Sequence, residues 1–215
     1  MNGAPPRIPR QHTLNRIARD TFDAMRWRGE STLVLHLYRA GEGDENRCPR
    51  CYDPVYKQAD TSLDCPICFG TGYEGGFQWA ARTYAMFTAP AQTERITNRG
   101  EWDPDERTIT VPAVIPIRQN DIAFRAARWD GLYPVGEVSA YKIGAVNQQT
   151  VRDGITGPEQ VTTVAYQGPV TRLPDDDPWI RHINTLPFRQ VLQDRLVKVD
   201  SIEEFLVNDR TIDRL

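Results

Sequence analysis

The sequence predicts a mainly β fold with short helices, arranged as a small antiparallel β-barrel or sandwich. Three observations lead to this prediction. Short runs of apolar and β-branched residues recur along the 215 residues, glycine and proline separate these runs closely, and only two segments carry helical signals. Many short strands with frequent turn signals are typical of small barrels and sandwiches. The proportions of 40% apolar and 26% charged residues fit a soluble globular chain.

An extended arm and a helix come first in the predicted order. Residues 1–11 contain three prolines and few large apolar side chains, which indicates an extended arm. From Thr13 onward, apolar residues recur at steps of three and four, so we predict an amphipathic helix that ends near Gly29. The apolar stripe comprises Leu14, Ile17, Ala18, Phe22 and Met25. We expect the arm and helix to dock on a neighbouring protein.

Arginine is abundant in the same segment. Residues 7–28 contain six arginines and only two acidic residues, Asp20 and Asp23. Two explanations stay open: a solvated helix face, or contact with nucleic acid or with an acidic protein surface. The net charge of −3 argues against electrostatic nucleic-acid binding by the chain as a whole.

Seven β-strands are predicted after the helix. They cover 32–38, 83–88, 108–115, 122–124, 135–143, 161–166 and 191–199. Pro112 interrupts the third of these strands, which indicates a sheet edge or a bulge.

The acidic residues 175–177 are interpreted as a solvated turn. Residues 201–204 read Ser-Ile-Glu-Glu, a capping box that predicts a short helix near the C-terminus.

The four cysteines predict a metal site. Cys48 and Cys51 form one Cys-x-x-Cys pair, thirteen residues follow, and Cys65 and Cys68 form the second; the chain has no other cysteine. Zinc favours four thiolates in a tetrahedron, and a site filled by sulfur leaves no position for water or substrate. We therefore expect one structural Zn²⁺, with the glycines after Cys68 allowing tight turns around sulfur. Two disulfides, four free thiols and an iron–sulfur cluster are the alternatives.

The cellular compartment is predicted from what the sequence lacks. The first residues show no apolar core of the kind found in a signal peptide, and no apolar run approaches the length of a membrane span. We therefore expect a reducing, cytoplasm-like compartment and no membrane association. Disulfides are disfavoured in such a compartment.

No catalytic residues are predicted, and no residues for an organic cofactor. Phosphate-binding, serine-nucleophile and zinc-protease motifs are absent from the sequence. The three histidines, His12, His36 and His182, are isolated in sequence and are interpreted as core or surface residues. Carboxylate pairs at 103/105 and 203/204 lie in turn or cap contexts. We predict that the chain is not an enzyme, and that Trp102 and Trp179 lie in loops and contact partners.

The second cysteine pair resembles a known zinc module. Cys65-Pro66-Ile67-Cys68-Phe69-Gly70-Thr71-Gly72 matches the Cys-x-x-Cys-x-Gly-x-Gly unit of DnaJ-type modules. The first pair lacks these glycines, because Tyr-Asp-Pro follows Cys51, and no J-domain His-Pro-Asp triplet is present. The chain is therefore not a DnaJ chaperone.

The whole cysteine-containing string, from Cys48 to Gly76, is more similar to zinc loops in neck or connector proteins of tailed bacteriophages. Residues 114–124 and 133–138 also resemble the strands that enter the small barrel of head-to-tail stopper proteins. The resemblance divides the chain into an arm and helix at 1–30, a barrel-like core at 31–47 and 78–185, an inserted zinc loop at 48–77 and a C-terminal extension at 186–215.

The resemblance implies a virion structural protein of the head-to-tail connector. It implies a stopper-like ring, six- or twelve-fold, assembled in the host cytoplasm between portal or adaptor proteins and the tail. Packaged DNA would pass nearby without sequence-specific binding. A zinc-ribbon nucleic-acid-binding module, another phage tail or baseplate protein, and an enzyme with an unrecognised site stay open as alternatives.

Overall fold

The computed structural model describes residues 10–39, 41–60, 64–88, 107–152 and 161–198. The predicted arm before Arg10, the Trp102 loop and the capping box at 201–204 lie outside these residues. Among the described helices, none combines the length and apolar character needed to cross a bilayer.

Three helices and ten strands make up the described fold. Helix α1 (Arg10–Arg28) leads into β1 (Glu30–Leu37), and a short 3-10 turn at Asp44–Asn46 precedes the cysteines. The other strands are β2 (Tyr52–Asp53), β3 (Gln58–Ala59), β4 (Phe77–Thr88), β5 (Arg107–Pro112), β6 (Ile122–Asp130), β7 (Tyr133–Ile143), β8 (Asn147–Arg152), β9 (Val161–Arg172) and β10 (Leu196–Lys198). Helices α2 (Pro178–His182) and α3 (Leu186–Arg195) lie between β9 and β10.

The mainly β prediction is confirmed, but the large sheet is not a true barrel. Strand pairing runs β1–β6–β7–β9–β5–β4, and β4 pairs again with β1. Two contacts in this circuit are short, since β4 and β5 pair over three residues and β7 and β9 over three. The β7–β9 contact is short because β9 pairs with β8 along its first half and with β7 only from Val170 to Arg172. The sheet is therefore branched, with two short contacts in its circuit, and is not a true barrel.

Two apolar clusters lie on opposite faces of β1. Val34 belongs to a cluster that includes Phe22 of α1, whereas Leu33 and Leu35 belong to a second cluster with α2 and α3. Because both faces are covered, five consecutive residues of β1 are buried, which accounts for its continuous apolar run. The predicted helix is confirmed as α1, and Ile17, Ala18 and Phe22 of its apolar stripe pack on this chain's own sheet.

The prediction of a strand at 191–199 is wrong over most of its length. Helix α3 continues to Arg195, and only Leu196–Lys198 forms a strand, which pairs in parallel with β4. A short apolar run fits either helix or strand when read from sequence alone. Phe188 and Leu192, four residues apart, are both fully buried on one face of the helix.

Trp179 also differs from its prediction as a partner-contacting loop residue. It lies in α2, is 6% exposed, and packs with Phe69, Phe77 and Phe188. The acidic turn before it starts this helix, because Asp177 accepts a hydrogen bond from the backbone N–H of Trp179. The third carboxylate of the run therefore caps a helix, while Asp175 and Asp176 stay exposed.

Candidate metal centre

The structure brings the four predicted cysteines together. Their sulfur atoms all lie within 4.8 Å of one another, and all four side chains are buried. The Sγ atoms of Cys48 and Cys65 are 3.9 Å apart. A tetrahedral zinc site with ordinary Zn–S bonds separates its sulfurs by about 3.8 Å. The cluster therefore has the donor type, number and spacing that a single thiolate-bound ion requires.

The second cysteine pair forms a tight turn around its sulfurs. The backbone N–H of Phe69 donates to the carbonyl of Cys65 at 2.9 Å, and that of Thr71 donates to the carbonyl of Cys68 at 3.0 Å. Phe69, Gly70 and Gly72 have φ values of 51°, 83° and 79°. Glycine adopts this left-handed conformation without steric cost, so Gly70 and Gly72 allow the chain to curl around the sulfur.

Backbone dipoles and burial act in opposite directions on the thiols. Burial opposes ionisation of Cys65, but the N–H groups of Cys68 and Ile67 point at its sulfur and lower its pKa to about 7. Burial raises the pKa of Cys51, and it raises the pKa of Cys68 although the N–H groups of Gly72 and Gly70 are directed at that sulfur. A cation among the four sulfurs would stabilise the thiolates and oppose the effect of burial.

Backbone hydrogen bonds join the two cysteine pairs. The N–H of Cys48 donates to the carbonyl of Gly72 at 2.9 Å, and that of Glu74 donates to Asn46 at 2.8 Å. A Cβ at Gly72 would lie 2.3 Å from the Cβ of Ala59, so β3 packs closely against the glycine turn. The two turns and the β2–β3 hairpin therefore form one compact unit, the cysteine loop, at 48–77.

The cysteine loop is joined to the core by an aromatic contact that sequence reasoning missed. Phe69, directly after Cys68, is 1% exposed and packs against Phe188 at 5.2 Å and Trp179 at 5.6 Å between ring centroids. A large aromatic residue directly after the last cysteine was the available signal. The position of its partners in α2 and α3 could not be read from the sequence, since the segments are more than a hundred residues apart.

A polar contact joins the loop to α2 as well. Asp64, directly before Cys65, lies 2.6 Å from Nε2 of His182 and 2.7 Å from Nη1 of Arg181. His182 and Arg181 together hold the pKa of this carboxyl below its usual value. His182 is isolated in the sequence, and only the fold reveals Asp64 as its partner.

The predicted core character of His36 is confirmed, and its partner is Asp121. His36 is fully buried, with Nδ1 2.8 Å from Oδ2 of Asp121 and its ring stacked on Trp79. The same carboxylate accepts hydrogen bonds from the backbone N–H groups of Leu37 and Arg118. Asp121 therefore fastens the 113–121 turn to the end of β1. The side chain of His12 and the carboxylates at 103, 105, 203 and 204 lie outside the described residues.

No protein-family model matches this sequence, and no curated protein shows significant similarity to it. Among the described residues, the cysteine cluster is the one group of three or more potential metal-ligating side chains. Its four sulfurs can enclose an ion completely, so the chemistry it supports is the stabilisation of local structure.

Proposed function

We propose that the four cysteines bind one structural Zn²⁺, and that the chain is a stopper-like structural protein in the head-to-tail connector of a tailed-phage virion. The observation that carries this proposal is a buried four-sulfur cluster inside a string, 48–76, whose residues resemble connector zinc loops. The chain acts by assembly, as a ring between portal or adaptor proteins and the tail.

The sulfur spacing supports one ion over an iron–sulfur cluster. In a cluster, the cysteines bind different irons and lie farther apart than around a single ion. Here all four sulfurs lie within 4.8 Å of one another. Zinc and a single iron both accept tetrahedral sulfur, so metal analysis of purified protein decides between them. One zinc per chain is expected, and oxidised cysteine pairs without metal would contradict this half of the proposal.

Exposed apolar side chains support a role in assembly. Trp27 is 86% exposed, Val55 80%, Tyr56 76% and Leu186 69%. Large apolar residues exposed to this degree are frequent at surfaces that bind other proteins. The six- or twelve-fold copy number comes from the resemblance alone.

The acidic turn fits a position near a DNA channel. Asp176 is exposed, and Asp175 beside it is 82% exposed and pairs with Arg172 at 3.2 Å. Exposed carboxylates repel phosphate, so such a surface would let DNA pass without binding it.

Electron microscopy of intact particles tests the assignment. Density for this chain is expected as a ring between portal and tail. Density in the capsid shell, at the distal tail tip, or in no virion at all would overturn it.

Nucleic-acid binding is a second candidate, favoured by one surface of α1. Arg26, Trp27 and Arg28 are consecutive and exposed at the end of this helix. Arginine with an exposed aromatic ring is a combination that binds single-stranded nucleic acid. A gel shift whose affinity falls steeply with salt would favour this function over the connector.

A further inference from the structure

The β2–β3 hairpin exposes two adjacent apolar side chains at a rigid turn. Residues 54–57, called the hairpin tip, connect the two strands, and Val55 and Tyr56 are 80% and 76% exposed. Oδ1 of Asp53 accepts hydrogen bonds from the N–H groups of Val55 at 2.7 Å and Tyr56 at 3.2 Å. These bonds fix the turn, so little conformational entropy is lost when its side chains bind a surface.

The cysteine cluster supports this hairpin directly. Tyr52, the first residue of β2, follows Cys51, and the N–H of Asp60 donates to the carbonyl of Cys51 at 2.9 Å. On its other side the hairpin packs against Gly72. The cysteine cluster therefore supports an apolar projection whose two large side chains, Val55 and Tyr56, are mostly exposed.

A groove lies elsewhere on the molecule, between β1, β6 and β7. Its volume is about 520 Å³, and its lining includes Glu30, Ser31, Arg125, Trp129, Glu137 and Ser139. Glu30 pairs with Arg125, while no ion pair of Glu137 occurs in the part of the chain that the structure describes. Arg82 covers Trp129 with its guanidinium carbon 4.7 Å from the ring centroid. The groove therefore places an indole ring, which Arg82 covers on one side, beside a carboxylate that has no ion pair among the described residues.

The hairpin tip and the groove lie at opposite ends of β1. Glu30, in the groove, is the first residue of this eight-residue strand, and the cysteine loop begins beyond its last residue, where Tyr38 stacks on Tyr73. A strand of this length spans roughly 25 Å. A surface and its complement on opposite ends of one subunit produce a head-to-tail contact, which generates a ring when the rotation closes.

We infer that the hairpin tip of one copy of this chain inserts into the groove of the next copy. Tyr56 packs against the Trp129 side of the groove, and Lys57 approaches Glu137. The charges are complementary, because Lys57 is exposed at the tip and Glu137, in the groove, has no ion pair with any residue that the structure describes. This inference rests on the proposed ring, for which it identifies the contact between subunits.

Photo-crosslinking of the purified, metal-loaded full chain tests the contact. With p-benzoylphenylalanine in place of Tyr56, crosslinks are expected to peptides that contain residues 30–31 or 122–139 of a second copy, in products larger than dimers. Products that stop at dimers would indicate a two-fold contact and overturn the inference. Crosslinks to other segments, or none at the highest soluble concentration, would overturn it as well.

Charge exchange gives an independent test by sedimentation at low salt. Lys57→Glu and Glu137→Lys are each expected to weaken self-association by about twofold to fivefold, and the double variant is expected to restore it. Tyr56→Ala should weaken it by about tenfold. Lys142→Glu, at an exposed position of β7 outside the groove lining, is the matched control and should change nothing. Additive losses in the double variant would contradict the pairing.

The two proposals fail in distinguishable ways. If microscopy shows the ring in the virion but the Tyr56 crosslink is not found, the connector assignment stands and the inferred contact is wrong. If the crosslink forms but the protein is absent from the virion neck, the inferred contact stands and the ring belongs to another assembly.

Discussion

The rings of Phe69 and Phe188 pack edge to face, with centroids 5.2 Å apart, and join the cysteine loop to helix α3. Phe69 follows the last cysteine directly, so the conformation of the metal site determines where this ring lies. The loop lies between β1 and β4 in the sequence, and its Phe69 belongs to an apolar cluster with residues of β1, β4, α2 and α3. Changes at the metal site should therefore affect the core around these helices.

Replacing Phe69 measures the strength of this connection. Phe69→Ala should lower the free energy of unfolding by about 3 kcal/mol, as expected when a fully buried phenylalanine is truncated. Urea denaturation followed by tryptophan fluorescence gives the value. Val55→Ala, in the same loop but 80% exposed, is the control and should change stability by less than about 0.5 kcal/mol. Equal small effects would mean that the loop folds independently of the core.

Metal removal should loosen a defined half of the molecule. With a chelator, or in Cys65→Ser, hydrogen exchange should accelerate in 48–77 and also in α2 and α3, because Phe69 and Asp64 both contact this region. Strands β5 and β9 belong to the other apolar cluster and should keep their protection. Restoring zinc to the chelated protein should restore slow exchange. Unchanged exchange in α2 and α3 would contradict the coupling between the cysteine loop and these helices. Loss of exchange protection throughout the chain would mean that the metal is essential to the whole fold.

Comparing alanine substitutions at two glycines, Gly72 in the cysteine loop and Gly131 between β6 and β7, separates the cost of backbone strain from the cost of a steric clash. Gly72 and Gly131 have φ values of 79° and 57°, but a Cβ at Gly72 would lie 2.3 Å from Ala59, whereas nothing lies within 4 Å of one at Gly131. Gly131→Ala should cost about 1 kcal/mol from its conformation alone. Gly72→Ala should cost more and also weaken zinc binding in a competition assay, since β3 must move. Equal zinc affinity in the two variants would contradict this reasoning.

Removing the Asp121 carboxylate should destabilise the contact between the 113–121 turn and the end of β1. In Asp121→Ala, the imidazole of His36 and the N–H groups of Leu37 and Arg118 would all lose their acceptor. The expected loss is about 3 kcal/mol or more, because several donors would be left without partners in a buried site. Asp121→Asn keeps one acceptor oxygen and should lose less. Urea denaturation of both variants measures the difference. Equal losses in the two variants would contradict this expectation, because they would show that the one oxygen retained by asparagine contributes no stability.

Local signals in the sequence predicted the elements that depend on local physics. Periodicity identified α1, a continuous apolar run identified β1, and paired spacing identified the cysteine cluster. Contacts between distant segments could not be predicted in the same way. His36 and Asp121 are 85 residues apart, and Asp64 and His182 are 118 apart, so only the folded topology reveals them. The exchange of helix for strand at 191–195 has a different cause, since a short apolar run satisfies both periods.

The two faces of α1 should respond differently to truncation. Phe22 is 2% exposed and packs in the cluster between α1 and the sheet, whereas Trp27, five residues later, is 86% exposed. Phe22→Ala should therefore lower the free energy of unfolding by about 3 kcal/mol through loss of buried apolar contact. Trp27→Ala should leave it within about 0.5 kcal/mol, because the indole contacts mainly solvent. Thermal and urea denaturation of both variants test this pair.

A large loss of stability in Trp27→Ala would mean that the exposed ring has a partner in the folded chain. A negligible loss in Phe22→Ala would mean that α1 is dispensable for the core and free to dock elsewhere. The expected pattern instead assigns Ile17, Ala18 and Phe22 to folding and leaves Arg26, Trp27 and Arg28 exposed at the end of α1.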